Sequence, residues 1–261
     1  MNLGRAVATE EVGAPRKSLS LDGVWQFKHE DGPWREAHVP QPWQAEFSDL
    51  VDTFGHAVYK RSFAVPAGWD RQELVLHFGA VSYYCEVFLN GQKLGSHEGA
   101  FLPFEFVLDS KLLRPANEVE VRVTMPSADH RAFPDFPFGE VPHGKISWYG
   151  RIGGLWQSVT LQARDSRRLE AVAITAGTDG IVKAELDFSA AAAGLQVKLV
   201  VRDAGGNVVA ESAVTAAASV AVELAVTAPK LWGIDQPNLY TLTVTLGDDV
   251  DVVEERRSEE R

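Results

Sequence analysis

The sequence predicts an all-β protein built from two sheet domains in series. Three observations carry this. Apolar residues fall on alternate positions in run after run, the mark of strands with one buried face. Glycine and asparagine turn signals separate those runs. Helical periodicity is nearly absent, and no strand–helix–strand alternation points to a parallel sheet. Many short strands with turn signals imply sandwich or barrel-like folds. At 261 residues the chain exceeds the usual roughly 100–200 residues of one domain, so two are expected.

In chain order, Leu74, Leu76 and Phe78 share one face of a strand. Val87 and Leu89 follow, and Asn90-Gly91 then supplies the two positive-φ residues of a hairpin turn. Val119, Val121 and Val123 alternate with polar residues, so they face a core and Glu120 faces away. Val159, Leu161 and Ala163 repeat the pattern. The short, charged run Arg164-Asp165-Ser166-Arg167-Arg168 marks the joint. Composition shifts there: six of the seven tryptophans precede it, and Trp232 alone follows.

In the second half Val197, Leu199 and Val201 alternate with Lys198, Val200 and Arg202, and Gly205-Gly206-Asn207 makes the next turn. Val220, Val222, Leu224 and Val226 form another strand face, as do Leu242, Val244 and Leu246. The run Ala190 to Ala193 is too short for a helix and reads as a loop or short turn. These elements make a compact seven-strand sandwich. Trp25, Trp156 and Trp232 fall within strand patterns and are expected in cores.

The net charge of −11 excludes nucleic acid as a partner, since such binding needs a basic patch. Residues 248–261 hold seven acids and three arginines, so −4 of that charge sits in the last fourteen positions. No window approaches the roughly 18 apolar residues of a membrane helix. The first twenty residues lack the apolar run of a secretory signal, which makes the cytoplasm the expected compartment. The single Cys85 can form no internal disulfide and no zinc site alone, and is expected to pack as a buried, inert thiol.

No cofactor and no metal are expected. A strand rather than a helix follows Gly150-x-x-Gly153-Gly154, so this is no dinucleotide loop. His130, Asp135 and His143 match no metal spacing. Asp248, Asp249 and Asp251 read as a solvated turn rather than a calcium site.

One long stretch, residues 125–149, does not read as strand. It holds four prolines, three phenylalanines and two histidines. A loop this long within a compact domain is usually functional or poorly ordered, and its aromatic content argues for order.

Several runs resemble glycoside hydrolase family two, the β-galactosidase, β-glucuronidase and β-mannosidase group. Leu21-Asp22-Gly23-Val24-Trp25-Gln26-Phe27 resembles the opening strand of that family's sugar-binding domain. Val58 to Phe63 with Val65-Pro66, and Phe78-Gly79-Ala80-Val81 through Asn90-Gly91 to Gly99, resemble its next strands. Trp148-Tyr149-Gly150-Arg151-Ile152-Gly153-Gly154-Leu155-Trp156 resembles its closing strand. Leu231-Trp232-Gly233 followed by Pro237-Asn238-Leu239-Tyr240 is similar to the family's immunoglobulin-like domain.

The resemblance implies a flexible tail over residues 1–15, a jelly-roll-like sugar-binding sandwich over 16–165 and an immunoglobulin-like sandwich over 166–253. A charged stub over 254–261 would then stand where a (β/α)₈ barrel begins. In the family that barrel, of about 250 residues, carries two catalytic glutamates. Retaining hydrolysis needs such carboxyl groups roughly 5–5.5 Å apart. No catalytic residue is therefore assigned in this chain. The expected function is that of a non-catalytic amino-terminal part, scaffolding the barrel and shaping its sugar cleft. A free-standing lectin-like module and a protein–protein module stay open as alternatives.

The family's acidic residue ahead of the closing glycines is missing here, since Ser147 or Trp148 stands in its place. Sugars need aromatic plates and a few placed polar groups, so Asp135, His143, Lys145, Trp148 and Tyr149 are the candidate contacts. Phe133, Phe136 and Phe138 suit the same purpose by type. The other reading of these aromatics is that they pin the loop to its own domain or to the barrel. A β-glycoside and the barrel are the implied partners.

Overall fold

The computed structural model describes residues 16–69, 72–136 and 151–258. Its contacts divide the chain into two units, one of Ser18–Ala163 and one of Arg164 onward together with Arg16 and Lys17. Strands dominate both. No helix among the described residues is long and apolar enough to cross a membrane.

The first unit is a sandwich. One sheet runs in the order β3 (Arg35–Val39), β2 (Gly23–His29), β4 (Gly55–Phe63), β9 (Asn117–Met125), β6 (Tyr84–Leu89), β7 (Gln92–Glu98). The other runs β1 (Lys17–Ser20), β10 (Val159–Arg164), β5 (Glu73–Phe78), β8 (Phe104–Val107). Register explains which residues meet. Tyr59 lies opposite Val121 and Val121 opposite Val87, so Trp25, Phe27, Tyr59, Val87 and Val121 converge on one apolar core. Leu74, Leu76, Leu89, Val119 and Val123 join them, as the alternation predicts. Asn90 and Gly91 take φ of 53° and 84° in the tight β6–β7 turn, which most side chains resist. Cys85 is fully buried in this core, and burial pushes its thiol up to about 12.

The second unit pairs β11 (Leu169–Ala176), β12 (Ile181–Phe188) and β15 (Ser219–Ala225) in one sheet. The other holds β14 (Val208–Thr215), β13 (Gln196–Arg202), β16 (Tyr240–Leu246) and β17 (Asp251–Arg257). These seven strands enclose Leu186, Val197, Leu199, Val201, Leu242, Val244 and Leu246. Val200, expected outward, is buried as well, with Glu211 and Thr243 as its cross-strand neighbours. Ala190–Ala192 forms one turn of 3₁₀ helix.

Three expectations need correction. Residues 254–257 are no stub: they complete β17, where Tyr240 pairs with Arg257 and the Thr243 hydroxyl donates to Glu254 Oε1 at 3.2 Å. Asp251 is no solvated turn residue: it is 3% exposed and accepts from Arg16 Nε at 2.8 Å, Arg16 Nη2 at 2.7 Å and the Leu169 amide at 2.9 Å. Arg16 thereby belongs with the second unit instead of opening the first. Trp232 is not core: it lies in the loop before β16 and is 42% exposed. Trp25 is buried as expected, while Trp156 is half-buried in the irregular approach to β10.

Candidate functional site

In sequence, residues 125–149 follow β9 and precede Gly153, so the site is sought around those two points of the first unit. A short helix, α1 (Trp43–Glu46), supplies its frame. Trp43 and Gln44 are both buried. The Trp43 amide donates to the Gly153 carbonyl at 3.2 Å, and its indole Nε1 donates to Thr53 Oγ1 at 3.1 Å. The Gln44 amide is used at both ends. Its Oε1 accepts from the Gly153 amide at 2.8 Å, and its Nε2 donates to the Thr53 carbonyl and to Met125 Sδ, each at 3.1 Å. One glutamine thus ties residues 53, 125 and 153 into a rigid rim, as a fully used buried amide should.

The two glycines are demanded by this packing. A Cβ on Gly153 would stand 2.7 Å from both Met125 Sδ and Trp43 Cζ2. Gly154 has φ +95°, and a Cβ there would collide with the Tyr59 hydroxyl. Gly154 also exchanges backbone bonds with Ser82 at 2.8 and 3.0 Å, joining the rim to the β5–β6 connection. Burial raises the Tyr59 phenol well above its ordinary value, with the Leu155 backbone amide pulling weakly the other way.

Arg151 emerges from this rim. Its guanidinium lies 4.7 Å from the centroid of Phe54, and Nη1 donates to Asp52 Oδ1 at 2.5 Å. The side chains are 36% and 88% exposed, so the pair faces solvent. Thr53, between Asp52 and Phe54, is held by Trp43 and Gln44, so arginine, ring and carboxylate share one support.

Where residues 126–136 are described, their aromatics turn inward. Phe133 is buried beside the His56 ring at 5.6 Å, and His56 Nδ1 lies 3.0 Å from Thr124 Oγ1. Phe136 meets Tyr84 at 5.6 Å and Tyr83 at 6.2 Å. The Tyr83 hydroxyl in turn donates to Glu98 at 2.8 Å. These two phenylalanines pin the loop to its own domain, the packing reading of the stretch. Asp135, between them, is exposed. His143, Lys145, Trp148 and Tyr149, like Phe138, lie outside the described residues.

Sequence reasoning missed Gln44, Asp52 and Phe54, and passed over Arg151 within its motif. The run Gln41-Pro42-Trp43-Gln44 carried no periodic signal. Among the described residues no group of three or more His, Cys, Asp or Glu side chains is placed to hold a metal.

Comparison with known proteins gives two family models. The sugar binding domain of glycosyl hydrolases family 2 matches residues 15–161, and the model described as glycosyl hydrolases family 2 matches residues 168–259. A β-glucuronidase of Paenibacillus borealis is 27% identical over 89% of this chain and 43% of its own length. A β-galactosidase of Lactobacillus delbrueckii subsp. bulgaricus is 32% identical over 78% of this chain and 20% of its own. The chain therefore spans less than half the length of these curated relatives. Its fold matches that of a Bifidobacterium dentium β-glucuronidase solved with coumarin-3-O-glucuronide, at a TM-score of 0.78 and 24% identity, covering 96% of this chain and 49% of that one.

Proposed function

The chain belongs to glycosyl hydrolase family 2, and on that premise we propose that it serves as the non-catalytic amino-terminal part of a β-glycosidase. In this reading it scaffolds a (β/α)₈ barrel, and the Gly153 end of its first unit shapes one wall of the sugar cleft. Asp135, with His143, Lys145, Trp148 and Tyr149, supplies polar and aromatic contacts to the sugar.

The observation that carries the reading is an uncovered apolar surface on the second unit. An open groove of about 510 Å³, including solvent at its mouth, is lined by Ile174, Val182, Leu231, Tyr240, Leu242 and Arg257. Beside it Leu231, Trp232 and Ile234 are 39%, 42% and 88% exposed. Contiguous apolar surface of this kind marks an interface. Ser258, just after β17, also lines the groove.

The carboxylates support the same view. Three carboxylates largely withdrawn from solvent are already engaged: Asp251 by Arg16, Glu46 by His38, and Glu120 by Lys60 and Arg122. None of these is poised as a retaining nucleophile or proton donor. The test is turnover of nitrophenyl β-galactoside, β-glucuronide and β-mannoside. The purified chain should give the buffer rate, and its fusion to the remaining part of a family relative should give activity. Turnover by the chain alone, lost on one Asp or Glu substitution, would defeat the proposal.

A further inference from the structure

We infer that His97 is an acid-sensitive latch in the first unit. Unprotonated, it closes the seam between the edge strands of the two sheets; gaining a proton opens that seam and frees the 99–103 connection. The inference stands apart from the reading of the chain as part of a glycosidase.

The seam follows from sheet order. β7 ends the six-stranded sheet, β8 ends the four-stranded one, and the two edges meet. Alternation turns Gly95 and His97 of β7 inward, opposite Val87 and Cys85 of β6. Phe104 and Phe106 of β8 close on them: a Cβ on Gly95 would stand 2.5 Å from Phe106 Cε1. The His97 ring stacks on Phe104 at 4.0 Å with the planes 10° apart, and Phe104 stacks on the fully buried Phe78 at 4.9 Å. Three near-parallel rings thus run from the core to the sheet edge, with the histidine outermost. Gly99 follows directly, and a Cβ there would lie 3.6 Å from His97 Nε2. The connection it opens is tied down by two bonds, Gly99 amide to Tyr83 carbonyl at 3.1 Å and Trp156 Nε1 to Ala100 carbonyl at 2.8 Å. Its tip, Phe101 and Leu102, is exposed.

The buried nitrogen makes this ring a latch. Nε2 is shut off from solvent and has no hydrogen-bond partner. A neutral ring can carry its one proton on Nδ1, whereas an imidazolium carries one on each nitrogen. A buried N–H without an acceptor is costly. The face of Phe104 returns part of that cost to a cation but offers no lone pair. The surrounding groups supply no acceptor either. On β6, Cys85 faces the same side as a neutral thiol, while Tyr84 and Glu86 alternate away and Glu86 holds Lys93. On β5 and β8, His77 and Glu105 pair across the outer face. On β7 itself, the Glu98 carboxylate is engaged by the Tyr83 hydroxyl at 2.8 Å. Its charge favours the imidazolium, but burial outweighs it and holds the ring below the 6.5 of an ordinary histidine. The opened seam binds the proton more readily than the closed one. Closure is therefore at full strength above pH 6.5 and weakens as pH falls from there through the lower, closed-state value.

Amide hydrogen exchange of the intact chain, followed by NMR from about pH 7.5 to about pH 5 and corrected for the intrinsic rate at each pH, tests this. Protection over β7 and β8 should fall below pH 6.5 by up to about tenfold per pH unit, the limit for one proton, while that of β2, β4 and β9 holds. The His97 Hε1 resonance should titrate with a midpoint below 6.5. His97→Phe keeps a ring on Phe104 that takes no proton, and should remove the local pH dependence. If that variant does not fold, the wild-type resonance still decides, because a midpoint at or above 6.5 would overturn the latch. So would protection lost evenly across both sheets, or a local loss that persists in His97→Phe.

Discussion

Gly154→Ala should destabilise the first unit by about 2–4 kcal/mol, and the structure separates the two causes. The first is conformational. Gly154 sits at φ +95°, where an L side chain costs about 1 kcal/mol or somewhat more. The second is steric. The new Cβ would strike the Tyr59 hydroxyl and approach Trp43 Cε3 to 3.0 Å, and forcing atoms into a packed core costs about 1–3 kcal/mol. Gly68 is the control. Its φ is +80° but a Cβ there meets nothing within 4 Å, so Gly68→Ala keeps only the first cost, about 1 kcal/mol. Guanidinium unfolding followed by tryptophan fluorescence suits the comparison, because six of the seven tryptophans precede residue 164 and report mainly on the first unit. The two units need not unfold together, so that transition is fitted alone. If the two alanine variants shift it equally, close approach at Gly154 has no energetic weight and the account of the rim is wrong.

Four more outcomes are expected. Arg16→Ala should destabilise the second unit by roughly 3 kcal/mol, because Asp251 keeps a buried charge with only the Leu169 amide beside it; calorimetry resolving two transitions would show the loss in the second unit. Val121→Asp should unfold the first unit, because an unpaired charge in this core costs several kcal/mol. Glu120→Lys, although its side chain faces away from the core, should be mildly destabilising: Glu120 bonds Lys60 at 2.7 Å and Arg122 at 2.6 Å, and a third cation would replace the anion between them. An unchanged denaturation midpoint would show that these two pairs carry no weight. Cys85 should resist a thiol reagent at mildly alkaline pH until the chain unfolds. Burial holds its folded pKa at about 12, above the 9.0 of an ordinary thiol, so the thiol's contribution is intact below pH 9 and is lost progressively as pH rises from there toward 12. Rapid labelling of the native protein would show the thiol to be accessible.

Much of the fold is legible because strand alternation is a local property. A pleated strand sends successive side chains to opposite faces, so Val119, Val121 and Val123, or Leu242, Val244 and Leu246, declare a shared face without knowledge of any partner. The Asn90-Gly91 turn is local in the same way, since its positive φ values select its residues. The buried state of Cys85 follows from its place in such a run. Trp232 misled because a motif was taken for a strand: the chain from Leu231 to Asn238 folds on itself, with Asn238 Nδ2 donating to the Leu231 carbonyl at 3.0 Å, and leaves the indole outside.

The candidate site was less legible, because its parts are distant along the chain. Gln44 bonds Gly153 across 109 positions, and Arg151 meets Asp52 across 99. No periodicity or spacing joins such residues. Sheet order and register bring them to one end of the sandwich. Residue chemistry alone named aromatic plates, yet packing decided that Phe133 and Phe136 bind their own domain. The sequence on its own therefore carries the strand faces, the turns, the joint near residue 165 and the family, all written in short runs of adjacent residues. Which groups are drawn together, which carboxylates are already paired and which apolar side chains stay uncovered were decided by tertiary structure, because those properties belong to contacts between runs that only the folded sheets create.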